Sequence, residues 1–269
     1  MDSKNAVLTL RNMQGTNGNR NDVVVCPSNE RTENALIYFG GDIQDNDEHM
    51  RRQKSSYTSW SLENTALILH DKFPQHSIFV IKPSKMTMDT IAVYRNFVES
   101  NSHGVPSHKY DLNCLKHLKC LMESVFEQIT PAPNITSFTC MGFSKGCVVL
   151  NQLLYCFAYL TERRDDDLSN FASKISHMYW LDGGHSGGCN TWITDETLVK
   201  SLSSFNIQAE IHVTPYQMND KSRPWKREEC TRFCELLNQF NIRNRKLLYF
   251  EQQEPSINLH FQLLNDFKP

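Results

Sequence analysis

No stretch of this chain runs to 18 apolar residues, so no transmembrane helix is expected. The opening Met1-Asp2-Ser3-Lys4-Asn5 has neither the apolar run of a secretory signal nor the Arg-rich, acid-poor face of a transit peptide. An excess of one charge is missing too. The 28 basic and 30 acidic side chains leave a net charge of −2, which gives nucleic acid or an anionic membrane no global field to follow. The nine cysteines contain no Cys-x-x-Cys and no paired zinc spacing. Several sit inside apolar runs, where a free thiol acts as a small hydrophobe, and a reducing compartment is expected. No repeat, low-complexity tract or interdomain linker divides the 269 residues. The reading is a polar segment over 1–34 with an edge hairpin, then one domain over 35–269 large enough to bury a sizeable core.

What is present is strand alternating with helix. Residues 6–10 and 22–26 are short β-like runs on either side of the turn formers in 14–19. Residues 35–39 are continuously apolar, as a central parallel strand buried on both faces must be. Leu62, Ala66, Leu69 and Phe73 recur at helical spacing, which predicts a helix over 60–73 that Pro74 stops. A strand over 77–81, a mixed segment over 82–109 and a helix over 110–129 follow. A strand at 135–141 leads into an apolar helix ending near residue 160, and 163–167 reads as a charged surface turn. Strands at 176–181, 210–214 and 246–250 alternate with helices at 195–205 and 226–240, and a short helix ends the chain. This order predicts a mostly parallel sheet with helices on both faces and an antiparallel hairpin at its N-terminal edge.

The chemistry centres on Gly142-Phe143-Ser144-Lys145-Gly146, placed between the strand at 135–141 and the apolar helix. Gly-x-Ser-x-Gly alone is weak, since average composition yields it in roughly one chain of this length in ten. A strand before it and a helix after it are what a nucleophile elbow requires. The helix aims its first N–H groups, and the positive end of its dipole, towards charge developing beside Ser144.

Ligands of open α/β sheets lie beyond the carboxyl ends of the strands. There the sequence puts Gly40, Gly41 and Asp42, then Ser144, then Asp182 and His185, then Asp220, and finally His260. Serine chemistry needs a base to take the hydroxyl proton and an acid to orient that base. Ser144…Asp220…His260 has the α/β-hydrolase order, with acid and base each in a loop after a strand. Asp220 follows the penultimate strand, the commoner place for the acid, and Asp182 is the alternative. The oxyanion hole would use the N–H groups of Lys145 and Gly41. Gly40, Asp42, Gly184 and His185 are candidates to contact substrate, the last two on a flexible loop at 183–188. That loop lacks a dinucleotide fingerprint, and Asp182 with His185 has no evident third metal ligand, so no cofactor and no metal are called for. Each residue also has a plainer role: Ser144 as a helix cap, His260 as a surface histidine, the glycine pair as tight packing.

Several segments together resemble one family. They are Tyr38-Phe39-Gly40-Gly41-Asp42, Trp60-Ser61-Leu62-Glu63-Asn64, the run from Gly142 to Leu154, the run from Tyr179 to Gly188, His212-Val213-Thr214-Pro215-Tyr216-Gln217 and Glu254-Pro255-Ser256-Ile257. The family is an α/β-hydrolase-like one whose human member is a mitochondrial protein named after an open reading frame on chromosome 2. The resemblance covers nearly the whole chain from about residue 35. Gly41 and Asp42 match the family's turn and Gly40 departs from it. It implies an α/β-hydrolase fold and a mitochondrial association, against a cytoplasmic location read from the N-terminus alone, and it implies no particular substrate. The expected function is a serine hydrolase acting on a small-molecule ester, thioester or amide through an acyl-enzyme. The alternative is a catalytically silent hydrolase-fold protein that acts in mitochondria by binding a protein partner.

Overall fold

The computed structural model describes residues 7–28 and 30–269; Ala6, where the first strand was expected to begin, lies outside them. In chain order the elements begin with β1 (Leu8–Gln14), β2 (Arg20–Cys26), β3 (Asn34–Phe39), α1 (Asp47–Arg52), α2 (Leu62–Lys72) and β4 (His76–Ile81). Two small hairpins follow, β5 (Lys85–Thr87) with β6 (Ile91–Val93) and β7 (Glu99–Ser100) with β8 (Pro106–Ser107). Next come α3 (Asn113–Glu127), β9 (Ser137–Phe143), α4 (Cys147–Glu162), α5 (Asp166–Ser173) and β10 (Ile175–Leu181). The chain ends with α6 (Glu196–Ser204), β11 (Gln208–Val213), α7 (Pro215–Met218), α8 (Trp225–Gln239), β12 (Asn244–Leu248) and α9 (Ile257–Asp266).

Eight strands form one sheet in the order β1-β2-β4-β3-β9-β10-β11-β12. The β1–β2 and β2–β4 pairs are antiparallel and the remaining pairs are parallel. The two-residue period of a strand decides which layer each side chain joins. Ile37 and Phe39 of β3 face a core shared with α3, α4, α6 and α8, while Leu36 and Tyr38 face one shared with α2 and α9. Both faces of β3 are therefore covered, which is why its sequence is apolar without alternation. Twelve residues of α4 are buried, so this helix lies under the other helices rather than on the surface. Full burial of each large apolar side chain there contributes about 1.5–3 kcal/mol.

Three features differ from the sequence reading. The charged run at 163–167 does not remain a turn: Asp165 caps α5 by accepting from the Leu168 N–H at 3.0 Å. The last strand lies two residues earlier than expected, ending at Leu248, and Phe250 takes a φ of +56° in the turn beyond. His260 is not in a loop but in the first turn of α9, whose N-cap is Ser256.

Candidate active site

β9 and α4 meet in a turn too tight for side chains on either flank of Ser144. A Cβ on Gly142 would lie 2.8 Å from the Cys147 backbone, and one on Gly146 would lie 1.9 Å from the Phe39 carbonyl oxygen. Ser144 itself takes a φ of +50°, a left-handed conformation that non-glycine residues adopt at a cost of about 1–3 kcal/mol. Asp182, the residue just beyond the neighbouring strand β10 as Ser144 is just beyond β9, also sits left-handed with a φ of +48°. Two strained, buried polar residues side by side at the carboxyl edge of the sheet mark where surrounding structure over-determines the backbone.

Asp182 is fully buried and both of its carboxylate oxygens accept hydrogen bonds. Oδ1 accepts from the Thr214 N–H at 2.8 Å, and Oδ2 accepts from the Thr214 hydroxyl at 2.5 Å. Oδ2 also accepts from His260 Nδ1 at 2.6 Å. That bond leaves the imidazole Nε2 as the free nitrogen. The ring lies between Phe143, stacked at 4.5 Å, and Tyr216, tilted at 4.8 Å, so it cannot swing out of place. His260 and Ser144 line one cavity of about 140 Å³, together with Asp42, Gly184, His185 and Arg223.

Asp220, expected first as the partner of His260, is placed elsewhere. Its carboxylate accepts from the Ser222 hydroxyl at 2.6 Å, from Arg223 Nε at 2.7 Å and from Lys226 Nζ at 2.8 Å. Burial opposes ionisation, yet bonds from Lys226, Ser222 and Arg223 hold its carboxyl well below the usual range. Asp220 is thus the anchor of a cationic pair, and Asp182 is the carboxylate that meets the histidine.

The expected oxyanion donors also divide. Lys145 N–H stands in the first turn of the helical segment, where no intrahelical acceptor exists. Gly41 N–H instead donates to Gln44 Oε1 at 2.8 Å and is taken. Gly41 matters for its missing side chain, since a Cβ there would come within 2.9 Å of Ser144 Cβ. In the same turn Gly40 offers its carbonyl to the Tyr94 hydroxyl at 2.9 Å, and Asp42 Oδ1 accepts from the Ala92 N–H at 2.8 Å. The Asp42 N–H has no acceptor among the described residues. Of the two N–H groups, the one left unpaired in this turn is that of Asp42, not Gly41.

The 183–188 loop lines the cavity, but it is tied down rather than loose. His185 Nδ1 accepts from the Gly187 N–H at 3.0 Å and its Nε2 meets the Asn190 carbonyl at 3.1 Å. Burial pushes the ring's pKa down to about 4, so His185 is neutral with both nitrogens spent. Glu229 accepts from the N–H groups of Asn190, Thr191 and Trp192 within 2.7–3.1 Å, and holds the loop from behind.

Sequence reasoning missed Thr214 and Gln44. Thr214 carries a readable signal, the Thr-Pro start of α7, where it is the N-cap. Gln44, fully buried, bonds Gly41, Tyr38, Trp60 and Thr65 at 2.8–3.0 Å and fixes the glycine turn; nothing in its neighbourhood of sequence signals that role. Larger concavities of about 600 and 610 Å³ lie elsewhere, one around Asp220, Arg227 and Pro255 and one at the amino ends of the strands around Arg31 and Pro131. Neither contains the aspartate–histidine pair.

Among solved structures, the chain is similar to a dienelactone hydrolase from Anabaena variabilis, with a TM-score of 0.51, 10% identity and coverage of 97% of this chain and 95% of that one. It is also similar to esterase Est22, with a TM-score of 0.54, 10% identity and coverage of 96% and 75%. At such identities the likeness shows the fold alone, an α/β hydrolase. In sequence it is 37% identical to the mitochondrial protein C2orf69 homolog of Danio rerio over 86% of this chain and 72% of the relative. It is 35% identical to human mitochondrial protein C2orf69 over 85% and 72%. A sequence profile described as C2orf69 matches residues 9–137 and 130–243. The chain belongs to the C2orf69 family.

Proposed function

We propose that the chain is a serine hydrolase that cleaves an ester, thioester or amide of a small molecule through an acyl-enzyme. The observation that carries this reading is the 2.6 Å bond from His260 Nδ1 to the buried Asp182, with His260 and the strained Ser144 on one cavity wall. On this reading Ser144 is the nucleophile of an elbow, His260 the base and Asp182 the orienting acid. Ser144 Oγ attacks the carbonyl carbon while His260 Nε2 takes its proton, and Asp182 stabilises the imidazolium so formed. The N–H groups of Lys145 and Asp42 receive the oxyanion, a contribution of about 3–4 kcal/mol per donor in comparable sites. His260 then returns the proton to the leaving group, and water, deprotonated by the same imidazole, releases the acid and restores Ser144. The names of the relatives support a mitochondrial location.

A fluorophosphonate probe tests the reading, because it forms a bond only with an activated serine. Covalent labelling of Ser144, located by peptide mass spectrometry and abolished in Ser144→Ala, is the expected result. A folded protein that takes no label points instead to a silent, partner-binding hydrolase fold.

A further inference from the structure

Among the described residues that line the cavity with Ser144 and His260, Arg223 alone carries a permanent positive charge. Its side chain is 35% exposed, so the guanidinium is not sealed off from solute. Its counter-ion is already committed. Asp220 Oδ2 accepts from Arg223 Nε at 2.7 Å, but also from Lys226 Nζ at 2.8 Å, and the Lys226 side chain is 0% exposed. A buried ammonium depends on that acid more than a guanidinium that keeps part of its water. Two cations thus share one acid, and among the described residues no other carboxylate comes within ion-pair distance of Arg223. The surplus positive charge stands on the cavity wall.

Two fixed points aim it. Nε donates to Asp220, and Nη1 donates to the His185 carbonyl at 3.4 Å. His185 belongs to the loop that Glu229 ties down from behind. Three of the five guanidinium N–H groups, on Nη1 and Nη2, then have no acceptor among the described residues. The two Nη atoms together present the fork that binds a carboxylate through two parallel hydrogen bonds.

We propose that Arg223 is a specificity residue that anchors a carboxylate carried by the substrate in addition to the group that is cleaved. This rests on the hydrolase reading above. The preferred substrate is a small ester, thioester or amide that bears a free carboxylate. A single carboxylate suits the site better than a phosphate dianion, because Asp42 lines the same cavity and brings an acid of its own. The carboxylate lies within a few bonds of the reacting carbonyl, because a cavity of about 140 Å³ holds only about five water-sized groups. Asp220 is then a positioning residue, which acts on the substrate through the guanidinium it holds.

Hydrolysis of two pairs of esters tests this, each pair differing in one carboxylate. Monomethyl glutarate against methyl pentanoate puts the charge on the acyl part, and 3-acetoxypropanoate against propyl acetate puts it on the leaving group. The wild type is expected to favour the anionic member of one pair at least tenfold in kcat/KM, and that pair identifies the part of the substrate that Arg223 holds. Arg223→Gln is expected to erase the preference, whatever happens to the absolute rate. A wild type that favours neither anionic ester, or a preference that survives in Arg223→Gln, overturns the proposal. A second measurement needs no turnover: Ser144→Ala protein is titrated calorimetrically with the same four esters. An anionic ester that binds at least tenfold tighter than its neutral counterpart, with the difference lost when Arg223→Gln is added, upholds the anchor even if no ester is hydrolysed and the hydrolase reading falls. Equal affinity within both pairs overturns it.

Discussion

Gln44 and Thr214 do for this site what its reactive residues cannot do alone. Gln44 Oε1 satisfies both the Gly41 N–H and the Tyr38 hydroxyl at 2.8 Å, and so fixes the turn that brings Asp42 beside Ser144. In Gln44→Leu both donors stay buried without an acceptor, at about 1–3 kcal/mol each. The expected outcome is a lower urea midpoint together with slower fluorophosphonate labelling. An unchanged labelling rate in a destabilised protein would separate the turn from the chemistry. Thr214 explains why Asp182 rather than Asp220 meets the histidine. Its N–H and hydroxyl each bond one oxygen of the Asp182 carboxylate, and His260 takes the remaining lone pair of Oδ2. The sequence put two aspartates in loops at the right edge of the sheet. Which loop folds back is decided by contacts between residues 32 and 78 positions apart, and no local pattern encodes them.

Among the elements, α9 decides whether the histidine arrives. The chain end was legible as a short helix, but the start of that helix was not, because residues 250–256 carry no apolar periodicity. Ser256 caps it by accepting from the Leu259 N–H at 3.2 Å, which fixes the first turn and with it His260. Ser256→Ala should cost about 1 kcal/mol of stability. Fraying of that turn should also slow labelling of Ser144 more than an equally destabilising change on α5, such as removal of the Asp165 cap. Equal rates in the two variants would show that α9 is held by packing and not by its cap. The central strands were readable for a simple reason. Residues 35–39 and 77–81 are buried on both faces, so their composition alone identifies them. The pieces that were not readable, α5 and the hairpins of 82–109, are short, polar on one side and defined by caps and partners.

At the scale of the whole molecule, the sheet carries a buried acid outside the cavity that, like Asp220, makes stability depend on pH. Glu210 is 2% exposed on β11. Burial works against its ionisation, but the His212 ring 3.7 Å away and bonds from Arg245 and Gln208, both at 2.7 Å, hold its pKa at about 2. A carboxyl depressed in the folded state adds stability that is fully present above its unfolded value of about 4.5 and is lost as pH falls towards 2. Thermal unfolding between pH 7 and pH 3 should therefore show Tm falling below about pH 4.5, and Glu210→Gln should flatten that acid limb. A variant with the same acid limb as the wild type would exclude Glu210 as its source. The fold places this charged cluster on the strand adjacent to the one that leads into Asp182, and the Asp182 N–H donates to the His212 carbonyl at 2.7 Å, so the site and the acid-sensitive cluster share a sheet and one backbone hydrogen bond.

The pairing of Ser144 and His260 with Asp182 is tested most directly by the rate of fluorophosphonate labelling in wild type, Asp182→Asn and Asp220→Asn, measured side by side on folded proteins. Loss of an orienting acid costs about 10⁴-fold in comparable triads. A fall of that order is expected in Asp182→Asn, and a change within about tenfold in Asp220→Asn. A slower reaction in Asp220→Asn than in Asp182→Asn would contradict it.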